Sequence, residues 1–198
     1  MPTSFATPLL HRRALDRVGE LVSGIRPADL DRPTPCAGWD LRQLLAHMIG
    51  QNHGFADAAE HDVGVEAFAD RAVDGDLHRA WADSASRVAD ALAAAAARDG
   101  HTVLLAEFSS RGRFPAGTVL GMHLLDTVVH GWDVATALDV PYRPDDELVA
   151  ATLDMARLVP DGEFRERPGA SFAPVVPGEP ADPWLLTLHL LGRHPDRA

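Results

Sequence analysis

Residue types that bind metal ions recur at helical spacing between Gly121 and Asp133. Asp126 and His130 stand four positions apart, so on a helix their side chains stack on one face with Cβ atoms about 5–6 Å apart. A carboxylate oxygen and an imidazole nitrogen at that separation can share one ion, since each binds zinc at about 2.0–2.2 Å. His123 precedes Asp126 by three positions and His130 by seven, which places all three in one narrow arc. The opposite flank carries Leu120, Leu124, Leu125, Val128 and Val129, and burying the polar arc among such residues without a partner is costly. A further candidate is His47, three positions after Leu44, at the edge of the apolar stripe Leu41, Leu44, Leu45, Met48 and Ile49. Two histidines and one carboxylate from facing helices would leave coordination positions open for water or substrate, as catalytic metal sites do. Zinc is the default ion, and nickel, iron or manganese suit the same donors.

Each of these residues also has an ordinary reading. An Asp–His pair at this spacing is commonly a surface ion pair, and a single histidine beside an apolar stripe is commonly a satisfied core residue. His123 fits best as a partner of the ligands, with a fourth ligand or polar filler as the alternatives. Asp133 is either a hydrogen-bond partner for a ligating imidazole or substrate, or a helix-surface acid, and Trp132 beside it reads as a core anchor. Gly131 in mid-helix implies either close packing beside the site or a kink. Cys36, with no histidine adjacent in sequence, reads as a small buried hydrophobe in a connector. His53 falls more than half a turn from His47, and His11, His61, His78, His101, His189 and His194 read as solvated or capping residues. Arg111 and Arg113 read as loop-solvating residues before anion-gripping ones.

The elements that must position these residues are helical. Leu10, Ala14, Val18, Leu21, Val22 and Ile25 give one buried stripe, closed by Gly24 and Pro27. After a rigid connector at 33–39, Asp40 and Gln43 form a capping box that fixes a second helix start near residue 40, with Trp39 and Leu44 placed as a hydrophobic staple. A variable stretch containing Gly54, Gly64 and Gly75 follows, then a third helix from about Leu77 to Arg98, stopped by Asp99-Gly100. Residues 101–117 are extended or irregular. A fourth helix runs from about Thr118 to Leu138. The fifth has Pro144 in its first turn and Asp145, Asp146 and Glu147 where the macrodipole favours negative charge. Residues 160–181 read as a long surface loop that covers something, and a short helix starts at Asp182-Pro183-Trp184. The expected fold is all-α: a four-helix bundle with additional short C-terminal helices and an irregular insertion around 101–117, in a single domain over 1–198.

Composition excludes several function classes. The chain has 198 residues, 46% hydrophobic, and its 18 basic against 29 acidic residues leave a formal charge of −11. Such an acidic chain without basic runs is a poor partner for nucleic acid or an anionic membrane. No apolar stretch reaches the roughly 20 residues that span a bilayer. All the basic residues are arginines, which removes Schiff-base lysine chemistry and the Walker lysine. The single cysteine excludes an internal disulfide and an all-cysteine zinc site. Met1 to Phe5 lack the basic-then-apolar order of an export signal, so a cytoplasmic location is expected.

Three segments, TPCAGWDLRQLLAH (34–47), DTVVHGWDVA (126–135) and LLGRHPD (190–196), resemble the DinB-like superfamily, in particular actinobacterial proteins related to mycothiol-dependent maleylpyruvate isomerase. The resemblance runs in order over nearly the whole chain. It implies a DinB-like bundle holding a divalent metal through one histidine of the second helix and an acid–histidine pair of a later helix, here His47, Asp126 and His130. It also implies a metal-dependent transferase or isomerase that activates a low-molecular-weight thiol such as mycothiol, or water, for addition or transfer to a small electrophilic substrate. The isomerase proper carries a further C-terminal domain, and the expectation here is one domain. The alternatives are a metal- or small-molecule-binding stress or resistance protein without turnover, and a metal-free bundle whose polar arc forms an interface. The apolar rim of such bundles is compatible with a homodimer.

Overall fold

The computed structural model describes residues 7–73, 75–108, 111–166 and 170–195. The segment Met1 to Phe5, on which the reading of a missing export signal rests, lies outside them. Among the described residues six α-helices follow one another: α1 (Pro8–Ser23), α2 (Leu41–Glu60), α3 (Leu77–Ala96), α4 (Ala116–Leu138), α5 (Asp146–Ala156) and α6 (Pro183–Leu190). The expected helical architecture is therefore present. Within 101–117 the chain forms a small antiparallel pair, β1 (Thr102–Leu104) with β2 (Arg113–Pro115), in which Val103 faces Phe114.

Local signals set the helix starts. Thr7 caps α1 by accepting from the Leu10 amide, with Pro8 at the first helical position. At α2 the reciprocal box is complete: Asp40 accepts from the Gln43 amide at 2.8 Å and Gln43 from the Asp40 amide at 3.0 Å. Asp145 caps α5 through the Leu148 amide. Pro144 therefore precedes the cap and is outside the helix, a correction to its expected place; the side chain of Asp145 is the better N-cap acceptor and takes that position.

α2 also runs further than its apolar stripe predicts, through Gly50 and Gly54 to Glu60. These glycines cost helix propensity, and a neighbour at the helix backbone explains them. A Cβ on Gly50 would lie 2.5 Å from the Ala69 carbonyl, and one on Gly54 2.4 Å from the Phe68 ring. The segment around the single helical turn Val65–Phe68 thus lies against α2, held by a bond from the Arg71 amide to the Ala46 carbonyl at 2.9 Å. It delivers Asp70 to the face that carries His47.

α1 to α4 make the bundle, with α1 against α3 and α4, and α2 against α3 and α4. α5 packs on the outer side of α4 and α6 on α5. α4 consequently sits between two apolar bodies. Leu120 and Val134 belong to the main core with Leu44, Leu45 and Leu92, while Leu124, Val128 and Trp132 pack with Leu148, Trp184 and Leu188. A helix apolar on nearly every side is a buried one, and any polar group on it must find a partner. The described residues of 160–181 lie outside the α-helices, tied down where buried Arg165 donates to the carbonyls of Pro160, Ala173 and Leu190. No helix is long and apolar enough to cross a membrane among the described residues.

Candidate metal centre

His130 is the hub. Its Nδ1 stands 2.9 Å from Asp133 Oδ2 and its Nε2 3.4 Å from Asp126 Oδ1. The two carboxylates, three and four residues away on the helix, grip opposite edges of one ring, and both contacts follow from helical geometry. From α2, the His47 ring stands edge-on to that of His130, with 5.6 Å between ring centroids. His47 Nδ1 is 3.3 Å from Asp70 Oδ1, and its ring packs on Trp39, 4.8 Å away. Trp39 thus meets His47, a contact that its placement as a helix-start staple does not anticipate. Both histidines direct Nδ1 to a carboxylate. The side chains of His47 and Asp126 are 22% and 26% exposed against 6% for His130, so the group opens to solvent on one side.

Asp133 is fully buried and fixed from a third direction. Arg193, from the turn after α6, donates from Nε to Oδ1 at 3.0 Å and from Nη2 to Oδ2 at 2.7 Å. Cys36 comes from the connector before α2: its Sγ lies 3.3 Å from Asp133 Oδ2 and 3.9 Å from His130 Nδ1. Cys36 is therefore part of the site's surroundings as well as of the core, correcting its reading as a plain buried hydrophobe. Donor atoms of Cys36, His130 and Asp133 all lie within 4.8 Å of one another. That cluster already holds a cation, the Arg193 guanidinium, which would repel a metal ion placed there.

His123 takes a different part from the rest of its arc. It is buried, and its Nδ1 meets His11 Nε2 of α1 at 2.8 Å, with Thr127 Oγ1 3.3 Å away. His11, read from sequence as solvated or capping, is instead completely buried. Phe55 closes the other side of the His123 ring, 4.8 Å between centroids. Gln51, one turn after His47, donates to Glu107 Oε1 at 2.9 Å, which brings Glu107 into electrostatic reach of Asp126 and Asp70.

The charges follow from these contacts. Burial opposes an imidazolium at His130, but the charge of the Asp126 carboxylate and the hydrogen bonds to Asp126, Asp133 and Cys36 together outweigh it and hold His130 well above the ordinary histidine range. Burial likewise opposes ionisation of Asp126, yet His130, His47 and His123 hold its carboxyl well below the usual range. Asp133 is pulled down to about 2 because Arg193 and His130 overcome its burial. Burial lowers His47 against the opposing pull of Asp126, and lowers His123 to about 4. Desolvation raises the Glu107 carboxyl against its bond from Gln51, with Asp126 and Asp70 adding to the rise.

The profile of the mycothiol maleylpyruvate isomerase N-terminal domain matches residues 11–135. The chain belongs to that family. Among the relatives of this family member are uncharacterized proteins of two Mycobacterium tuberculosis strains, CDC 1551 / Oshkosh and H37Rv, each 31% identical over 86% of this chain and 88% of their own. Crystal structures of mycothiol-dependent maleylpyruvate isomerase and of a mutant of it align with TM-scores of 0.56 and 0.59 at 16% and 17% identity. They cover 75% of this chain, which in turn spans 65% of theirs; the likeness establishes the shared DinB-like helical fold. The matched profile contains His47, Asp126, His130 and Asp133 and ends before Arg193.

Several site residues escape a periodicity search. Asp70 and Glu107 come from irregular segments and carry no local signal. Cys36 and Arg193 lie inside the motifs TPCAGW and LLGRHPD, so their signal is the recurrence of those motifs beside the acid–histidine pair.

Proposed function

We propose that this family member is a metal-dependent enzyme in which His47, Asp126 and His130 hold one divalent ion, zinc being the first expectation, and which activates a low-molecular-weight thiol, mycothiol or a relative, for addition or transfer to a small electrophile. The observation that carries it is the division of labour at His130. With Nδ1 committed to Asp133, Nε2 is the nitrogen left to bind, and it stands 3.4 Å from Asp126 Oδ1. Two donors at about 2.1 Å in a tetrahedral shell are about 3.4 Å apart. His47 repeats the pattern with Asp70 on its Nδ1. Carboxylates behind ligating imidazoles fix the tautomer and raise ligand basicity. The types of these donors and the spacing of His130 and Asp126 support a divalent cation as their occupant.

A divalent ion held by His47, Asp126 and His130 would supply Lewis acidity able to lower the pKa of a bound thiol. The chain's own residues supply the rest. Asp126 contributes the negative charge that favours a cation. Asp133 and Asp70 hold the two rings in orientation, and Trp39 walls the His47 side. The same reading treats residues 1–198 as one functional unit acting on small molecules in the cytoplasm.

The test is elemental analysis of the purified chain, followed by assay of mycothiol consumption with a panel of electrophiles that includes maleylpyruvate. About one divalent ion per chain and thiol loss that stops on chelation support the proposal. Metal without thiol consumption makes the protein a binding bundle, and absence of metal overturns the proposal.

A further inference from the structure

α6 ends in a turn that aims one arginine inward. Gly192, at φ +73°, takes the left-handed position after the helix; its amide bonds the His189 carbonyl at 3.0 Å and the Arg193 amide bonds the Leu188 carbonyl at 2.8 Å. This is the Schellman arrangement, in which glycine occupies the first position beyond the cap. A side chain at 192 would be strained, and its Cβ would also lie 2.6 Å from the Ala173 carbonyl. The next residue, Arg193, is thereby turned into the core, only 6% exposed, with Nη1 on the Leu191 carbonyl at 3.0 Å and its other nitrogens on Asp133.

Burying a guanidinium and a carboxylate together is seldom a gain over apolar packing, so the pair invites a functional account. Asp133 Oδ2 is the oxygen shared by Arg193 Nη2 and His130 Nδ1, at 2.7 and 2.9 Å. Arg193 grips both carboxylate oxygens, Oδ1 through Nε and Oδ2 through Nη2, so the group is held from turning and Oδ2 stays facing the ring. A carboxylate pinned by a fork of two N–H groups can only accept.

We propose that Arg193 is a positioning residue for the metal centre: it fixes the orientation of the Asp133 carboxylate, so that Oδ2 accepts from His130 Nδ1 and the ring presents Nε2 toward Asp126 and His47. The C-terminal turn, beyond the residues matched by the family profile, thus completes a site whose ligands lie within them. This rests on the reading of His130 as a metal ligand.

The test is cobalt(II) titration of the full chain, following the visible spectrum and competition with a chelator. Arg193→Met is expected to bind cobalt about 10–100-fold more weakly than the parent, with an altered spectrum, and Arg193→Lys to recover part of the loss. Because Arg193→Met leaves buried Asp133 without its guanidinium partner, the double variant Arg193→Met/Asp133→Asn removes both charges. It is expected to bind no more weakly than Asp133→Asn alone, since the arginine acts through Asp133. Cobalt binding by Arg193→Met equal to the parent, or full additivity in the double variant, overturns this inference and leaves the metal site standing. A parent chain that binds no cobalt overturns both.

Discussion

His11 and His123, 112 residues apart in sequence, meet nitrogen to nitrogen at 2.8 Å in the interior, one on α1 and the other on α4. One proton serves the contact, donated by one ring and accepted by the other. Nδ1 of His11 has no partner among the described residues, so a second proton on this pair would place an unrelieved charge in the core. Burial and the mutual repulsion of the two rings hold His11 well below the ordinary histidine range, and burial brings His123 to about 4.

This dyad predicts the acid side of the stability profile of the metal-free protein. Between the unfolded histidine value near 6.5 and the folded value near 4, the unfolded chain binds more protons, so stability falls with acidification. The slope is at most about 1.4 kcal/mol per pH unit for each group. Above pH 6.5 the sign reverses, because His130, raised in the fold, keeps a proton that the unfolded chain releases. Urea midpoints measured against pH are thus expected to peak near 6.5, and His11→Leu/His123→Leu to flatten the acid limb. An unchanged limb in that variant would assign it to other groups.

Removing the hub has two separable effects. His130→Ala leaves Asp126 and Asp133 without the imidazole that both contact. Breaking one partner out of a buried charged network costs about 3–5 kcal/mol, which urea unfolding of the metal-free chain measures. The same variant is expected to lose stoichiometric metal; full retention would remove His130 from the ligand set.

The two carboxylates behind the histidines are not equivalent. Asp133 is fully buried, whereas the Asp70 side chain is 60% exposed and its contact with His47 is 3.3 Å. Competition for water weakens the exposed bond. Asp133→Asn is therefore expected to weaken metal binding more than Asp70→Asn, by about tenfold or more against a few-fold. Chelator competition on the two variants gives the order, and the reverse order would mean that His47 is the dominant ligand.

Gly131 sits beside His130 where the side chains of Tyr142 and Val18 press on the helix. A Cβ would lie 2.8 Å from the Tyr142 hydroxyl and 2.9 Å from Val18 Cγ2, so close packing, not a kink, accounts for the glycine. Gly131→Ala should gain helix propensity yet lose about 1–3 kcal/mol to overpacking. Differential scanning calorimetry should show a lower melting temperature, and truncating Val18 to alanine in the same chain should recover part of the loss.

The parts of the site legible from sequence are those that a single helix creates. Asp126 and His130 come together because a turn of α4 puts them there, and Asp133 reaches the far nitrogen for the same reason. The start of α2 is equally local, since Asp40 and Gln43 satisfy each other's amides. His11 was out of reach: α1 shows its stripe, but nothing in it says that a histidine will find another across the core. The end of α2 was obscured because Gly50 and Gly54 look like breakers until Ala69 and Phe68 are seen pressed against them.

Periodicity, capping and the recurrence of three motifs thus determine the helices, the all-α class and the acid–histidine pair, because each depends on residues within one or two turns. Tertiary structure alone decides what joins the histidines from beyond their own helices. Asp70, Cys36 and Arg193 arrive from an irregular segment, a connector and a helix-terminal turn, and their approach depends on how helices pack across long loops. Hydrogen bonds within a helix repeat with its pitch and leave a trace in spacing. Bonds that close across the fold are set by packing and leave none.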